Sequence, residues 1–137
     1  MRYLGVLVAA VLIAIAGFFG AIILASESGE VVVLQTTDAD GHPHETRLWI
    51  VDHAGAEWVR TGAPEKSWFV RLQANPAVEL ERAGMTTARV AVVVRDPAIS
   101  GALMKAFAEK YGEADWIVAL SGDAAKRVPV RLDPARP

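Results

Sequence analysis

The chain has no cysteine among its 137 residues. That excludes disulfides, thiolate metal centres and cysteine nucleophiles, and it fits an oxidising or a reducing compartment equally. The chain also lacks an excess of positive charge. With 14 Lys and Arg against 16 Asp and Glu, the formal net charge is −2, and the basic residues form no dense stripe. No nucleic-acid partner is expected, because phosphate neutralisation dominates such binding. No internal repeat or low-complexity tract occurs, and no Gly-x-Ser-x-Gly elbow, Walker sequence or zinc-ligand pattern is present. Gly101 and Gly122 belong to no phosphate-binding motif.

What the chain does have is a long apolar run. Residues 3–25 read YLGVLVAAVLIAIAGFFGAIILA, without a charge. About 20 apolar residues in a helix suffice to cross a bilayer core. A cleaved signal peptide has a shorter apolar region, roughly 7–15 residues, and a small-x-small cleavage pattern. Ile23-Leu24-Ala25-Ser26-Glu27 carries no clear pattern of that kind. The run predicts a single-pass transmembrane anchor over residues 1–26, in contact with the lipid bilayer through residues 3–25. Gly5, Gly17 and Gly20 are tolerated in membrane helices. Gly17 and Gly20 are not four apart, so they make no small-xxx-small dimer motif. Arg2 flanks one end of the run, and Glu27 and Glu30 the other. The positive-inside rule then places the following domain on the non-cytoplasmic side. Leaving Arg2 out of the 14 basic residues leaves 13 against 16 acidic ones, and residues 27–137 read as one water-soluble domain. About 110 residues can bury one modest core.

Residues 31–37 form a β-rich run, and Asp38-Ala39-Asp40-Gly41 is turn chemistry. Second and third strands are predicted over 46–52 and 57–61, with a turn at His53-Ala54-Gly55, as an antiparallel meander. Pro64 is suited to a first helical turn. Trp68, Phe69 and Leu72 then share a helical face, and Asn75 ends the helix because it precedes Pro76. Val78 and Leu80 alternate with Glu79 and Glu81 as a strand. After Ala83-Gly84-Met85, residues 87–94 form an apolar run that predicts a strand buried on both faces. Ile99, Leu103, Phe107 and Tyr111 recur at four-residue spacing, predicting a helix that stops near Gly112. A short helix over 115–120 and a last strand at Val128, Val130 and Leu132 complete the pattern. Pro129 argues for an edge position for that strand. The fold class expected is mainly β, a small barrel with flanking helices, preceded by one transmembrane helix.

Gly62-Ala63-Pro64, Trp68-Phe69-x-x-Leu72 and Ala74-Asn75-Pro76-x-Val78-x-Leu80 together resemble a known family. It is the deazaflavin-dependent nitroreductase and quinone reductase family, split β-barrel flavoproteins related to pyridoxamine phosphate oxidase. Leu34-Gln35-Thr36-Thr37, the turn at Gly41 and a strand from Arg47 to Val51 fit the same pattern. The similarity covers residues 31–94, and more loosely Lys110-Tyr111-Gly112 and the last strand. The resemblance implies a split β-barrel that binds FMN or a deazaflavin coenzyme across its surface. It implies that Arg60, Thr61, Gly62, Ala63, Pro64 and Lys66 line the cofactor's phosphate side, with Trp68 beside the ring. It also implies a homodimer. A phosphate would find cations and backbone donors at a helix N-terminus there. The family commonly has Ser-Lys-Gly-Gly before Ala-Pro, whereas this chain has Arg60-Thr61-Gly62, with a shorter step from Pro64 to Trp68. The choice between FMN, deazaflavin and no cofactor stays open on that account.

Other polar residues carry plainer readings. His42 and His44 make a His-x-His in a hairpin without a carboxylate at ligand spacing, so no metal is expected. His53 reads as turn, and Glu79 and Glu81 as a solvated strand face rather than an acid/base pair. These residues leave two functions. One is a membrane-anchored oxidoreductase that reduces quinone-like or nitro compounds, the anchor suiting a bilayer-dissolved acceptor. The alternative is a non-catalytic tethered module that binds flavin, haem or a protein partner.

Overall fold

The computed structural model describes residues 2–27, 29–115 and 126–136. Arg2–Glu27 is one helix, α1. Its segment Arg2–Gly20 has a mean hydropathy of 2.4, long and apolar enough to cross a membrane.

The domain begins with Val31–Thr37 (β1), in which Val32, Leu34 and Thr36 are buried and the alternate residues half-covered. Asp38 then reverses the chain. Its Oδ1 accepts from the backbone N–H groups of Asp40 and His42, both at 2.9 Å, and its Oδ2 accepts from His44 Nε2 at 2.8 Å. Pro43–Trp49 (β2) returns against β1. The His44 contact, followed by the His42 N–H, holds the Asp38 carboxyl at about 2, below its ordinary 3.8. Because the folded value is depressed, Asp38 supports the turn fully above its ordinary value and loses that role as pH falls through about 2. An NMR titration of the Asp38 carboxyl carbon is expected to give that low midpoint. A midpoint near the ordinary 3.8 would mean that the turn does not form in solution.

The sheet has seven strands in the order β2-β1-β5-β6-β7-β4-β3, where Val51–His53 is β3, Ala56–Thr61 β4, Ala77–Arg82 β5, Met85–Val93 β6 and Val128–Pro134 β7. β2 and β3 are opposite edges of this sheet, yet Ile50 alone separates them in the chain. The edges must therefore approach each other, and the twisted sheet curls into a half-barrel around Ile50, which is fully buried. This corrects the expected meander and the unbroken strand over 46–52. The pattern was right about extended chain but could not see the break. At Ile50 the backbone leaves the ladder because its N–H donates to the Tyr111 hydroxyl and its C=O accepts from Lys110 Nζ.

Inside the half-barrel, Val32, Leu34, Ile50, Val59, Leu80, Val130 and Leu132 pack with Trp68, Phe69 and Leu72 of Ser67–Ala74 (α2), which plugs one end. The helix starts three residues later than Pro64. The N–H of Lys66 donates to the C=O of Ala63 at 3.2 Å, so Pro64 sits in a turn ahead of the helix. On the outside, Pro97–Tyr111 (α3) lays Leu103, Phe107 and Tyr111 over Val51 and Trp58. Asp96 caps this helix by accepting from the N–H of Ala98 at 2.9 Å.

Two strand readings need correction. β6 is not buried on both faces: Ala91 is its buried residue, and Val90 is 38% exposed. α3 covers β3, β4 and β7 instead, so among the described residues no helix lies over the outward side of β6. β7 is not an edge strand, since it lies between β6 and β4. Pro129 is tolerated because it lies beyond the last β6 pair, Val93↔Val130, where its C=O accepts from Val94 and no N–H is needed. The short helix expected over 115–120 lies outside the described residues except for Asp115.

Candidate functional site

β4 ends at Thr61, a buried threonine whose side chain shapes the loop leading to α2. Its Oγ1 donates to the C=O of Ala63 at 2.5 Å and accepts from the Ala63 N–H at 3.1 Å. Gly62 and Pro64 are thereby turned outward at the barrel rim, with Ala63 half-buried between them. Lys66, exposed, occupies the N-cap position of α2, and no side chain among the described residues caps that helix. Its first-turn N–H groups therefore present positive partial charge beside a lysine ammonium.

The structure separates the predicted residues into groups. Gly62, Ala63, Pro64 and Lys66 come together at this rim. Trp68 faces inward, 6% exposed, and meets Phe69 edge-on with centroids 5.9 Å apart. It fixes α2 from below rather than offering an open face. Arg60 lies on the outer face of β4 under α3. There its Nη2 pairs with Asp115, its Nη1 reaches the Met104 sulfur at 3.3 Å, and its guanidinium sits 4.1 Å over the Phe107 ring. Its charge is already matched by Asp115, and the two side chains are each 10% exposed.

Strand register adds residues that carry no motif. The pair Thr61↔Val128 sets Gly62 beside Arg127. Next to it is an open cleft of about 190 Å³ lined by Arg95, Pro97, Ser100, Arg127 and Pro129 among others. Arg127 Nη1 is buried there without a hydrogen-bond partner among the described residues. Isolated arginines at a loop and at a strand start give no signal in sequence, and pairing of β4 with β7 is what brings Arg127 to this cleft, on the same outer face as Arg60. Lys66 and the α2 N-terminus form a rim suited to an anion such as a cofactor phosphate, while Arg127 lies on the outer face of the sheet with Arg60.

At the β1–β2 turn the expectation that His42 and His44 lack a neighbouring carboxylate is corrected. One donor atom each of Asp38, Asp40 and His42 lie within 4.8 Å of one another. Both Asp38 oxygens already close the turn. The sequence pattern missed this because the carboxylates precede the histidines and reach them only through the turn.

No family model matches the sequence, and no curated protein matches it. Solved structures do. HutZ, the haem storage protein of Vibrio cholerae, superposes with a TM-score of 0.61 at 21% identity, over 85% of this chain and 89% of HutZ. A pyridoxamine 5'-phosphate oxidase-type protein of Listeria innocua gives 0.60 at 15% identity, over 84% and 91%. The chain has the split-barrel fold. An F420-H2-dependent reductase shares it, with a TM-score of 0.56 at 20% identity over 74% of this chain and 93% of the reductase. At these identities the likeness concerns the fold, which is shared by an F420-H2-dependent reductase in one case and a haem storage protein in another.

Proposed function

We propose that the protein is a membrane-anchored oxidoreductase that holds FMN or a deazaflavin coenzyme and acts on planar quinone-like or nitro acceptors. Residues 1–26 would be the anchor and residues 27–137 the cofactor domain, on the non-cytoplasmic side and able to pair as a homodimer. The observation that carries the reading is the uncapped N-terminus of α2 beside exposed Lys66, on a split-barrel fold. When bound, the flavin or deazaflavin ring supplies the hydride chemistry. Lys66 and the first N–H groups of α2 would hold its phosphate. Gly62 keeps the backbone of the rim open to close approach, and Thr61 locks that loop through Ala63. Arg60 serves differently, meeting α3 through Met104 and Phe107 and tying the segment after it to β4 through Asp115.

Absorbance of the purified full chain, followed by titration with FMN and with reduced deazaflavin, tests the reading. Tight binding of either is expected. Lys66→Ala should weaken that binding by roughly 10- to 100-fold, the loss of about one charge-assisted hydrogen bond. A colourless protein that binds neither rejects it. The second reading is a non-catalytic module for haem or a similar ligand, favoured by the haem storage protein that shares the fold. Titration with haemin then decides for it.

A further inference from the structure

The junction between α1 and the barrel is fixed unusually soon after the helix. α1 ends at Glu27. Gly29 has φ +75°, and a Cβ there would lie 3.0 Å from the Tyr111 ring, so the chain passes flat against that ring. The Tyr111 hydroxyl donates to the C=O of Glu30 at 2.7 Å. The Glu30 carboxylate accepts two bonds from Arg82, at 2.9 and 3.0 Å, and one from Lys110 Nζ at 2.7 Å. From Glu27 to this clamp the backbone can stretch at most about 11 Å, at ~3.6 Å per residue.

The clamp belongs to one pole of the barrel. β1 leaves that pole at Val31, β5 reaches it at Arg82, and α3 reaches it at Tyr111. The β3–β4 turn at Ala54-Gly55 and the β5–β6 turn at Ala83-Gly84 lie at the same end, because Arg82 bonds both Asp52 and Glu57 at 2.8 Å. The opposite pole carries the β1–β2 turn and, beyond Thr61, the Gly62–Lys66 rim. Seven residues of β1 separate the two ends, a rise of up to about 23 Å. That exceeds the slack in the junction.

We infer that the barrel rests on the bilayer by its Ala54-Gly55 and Ala83-Met85 pole, so that the Gly62–Lys66 rim faces away from the membrane and receives its acceptor from water. The inference rests on α1 being the anchor. The surface at that pole fits a lipid headgroup layer. Its turns are small or apolar, and Met85 is 69% exposed. Its carboxylates Glu30, Asp52 and Glu57 are matched by Arg82, Arg89 and Lys110 in one mesh of ion pairs. The acceptor class changes with this placement. A quinone dissolved in the bilayer would have to leave the lipid to reach the rim, whereas a water-borne quinone or nitro compound meets it directly.

Because the chain has no cysteine, single-cysteine variants can be labelled cleanly. The full-length variants Ala54→Cys, Met85→Cys, His42→Cys and Lys66→Cys would carry an environment-sensitive fluorophore in phosphatidylcholine vesicles, some containing a headgroup nitroxide lipid. Labels at positions 54 and 85 should lose most of their emission to the lipid nitroxide. Labels at 42 and 66 should keep theirs and respond to iodide in the water. Leu12→Cys, read with an acyl-chain nitroxide, reports the anchor by itself. Quenching at 12 together with equal or stronger quenching at 42 and 66 overturns the placement while leaving the anchor intact. No quenching at 12, with protein washed off the vesicles, overturns the anchor and the placement with it.

Discussion

Asp115→Ala is expected to cost the domain roughly 3–5 kcal/mol, the usual penalty for leaving one half of a buried ion pair uncompensated. For a domain of this size that lowers Tm by more than about 10 °C. The abandoned partner is Arg60, whose guanidinium would keep the Met104 sulfur and the face of Phe107 but no anion among the described residues. Burial already pulls the Arg60 pKa down, and the bond to Asp115 works against that pull. Arginine nonetheless stays charged in the variant, so the cost cannot be relieved by losing a proton. The double change Arg60→Met, Asp115→Leu is expected to recover most of the loss, because apolar replacements of similar volume remove both charges together. Thermal unfolding of both single variants and the double variant, treated as a cycle, gives the coupling directly. An Asp115→Ala cost below about 1 kcal/mol would show the pair to be solvent-screened, as surface pairs are. The same set separates structure from cofactor binding. In the folded double variant, FMN or deazaflavin affinity should be unchanged, since Arg60 faces α3 and not the rim. A loss of affinity there would return Arg60 to the phosphate site.

Much of this arrangement was legible as local pattern. The alternation at Val31–Thr37, the 99/103/107/111 spacing of α3 and the Asn75-Pro76 stop each encode one element, and each element stands where the pattern puts it. The split-barrel expectation was carried by the same segments. What failed was long-range pairing. Residues 46–52 look like one strand because a β pattern does not state which neighbour it will find. The apolar run of β6 looks doubly buried because hydropathy does not say where α3 will lie. Pro129 looks like an edge marker because one missing N–H is harmless wherever the ladder has already ended. The rim is legible in part. Gly62, Pro64 and Lys66 are neighbours in sequence as in space, while Arg127, set beside Gly62 by the Thr61↔Val128 register, turns to the outer face with Arg60. Arg60 sits next to Thr61 in sequence but on the other face of the strand, which period-two alternation alone could have indicated.

Tyr111 is where the second large effect is expected, because one hydroxyl serves the break in the sheet and the clamp on the linker at once. It accepts from the buried N–H of Ile50 at 3.0 Å and donates to the C=O of Glu30 at 2.7 Å. Burial raises its pKa, so the proton needed for that donation stays in place. In Tyr111→Phe the C=O of Ile50 still accepts from Lys110 Nζ, at 2.7 Å, but the Ile50 N–H has no replacement partner among the described residues. A buried donor left unpaired costs about 1–3 kcal/mol. Tyr111→Ala removes the ring as well. The ring stacks on Trp49 with centroids 4.2 Å apart and planes 6° from parallel, and it also packs near Phe107. Large aromatic truncations in a core cost about 3–5 kcal/mol, so the alanine variant should be clearly weaker than the phenylalanine one. Urea unfolding of the two variants measures the ladder, and equal stabilities would mean that the hydroxyl carries nothing beyond the ring. The phenylalanine variant tests something further, because it keeps the stack while freeing Glu30's carbonyl. If the clamp sets which pole meets the bilayer, the contrast in lipid quenching between positions 85 and 66 should shrink in Tyr111→Phe. It should vanish when Glu30→Ala removes the Arg82 and Lys110 contacts as well, since nothing at Glu30 would then oppose rotation of the barrel about its junction with α1.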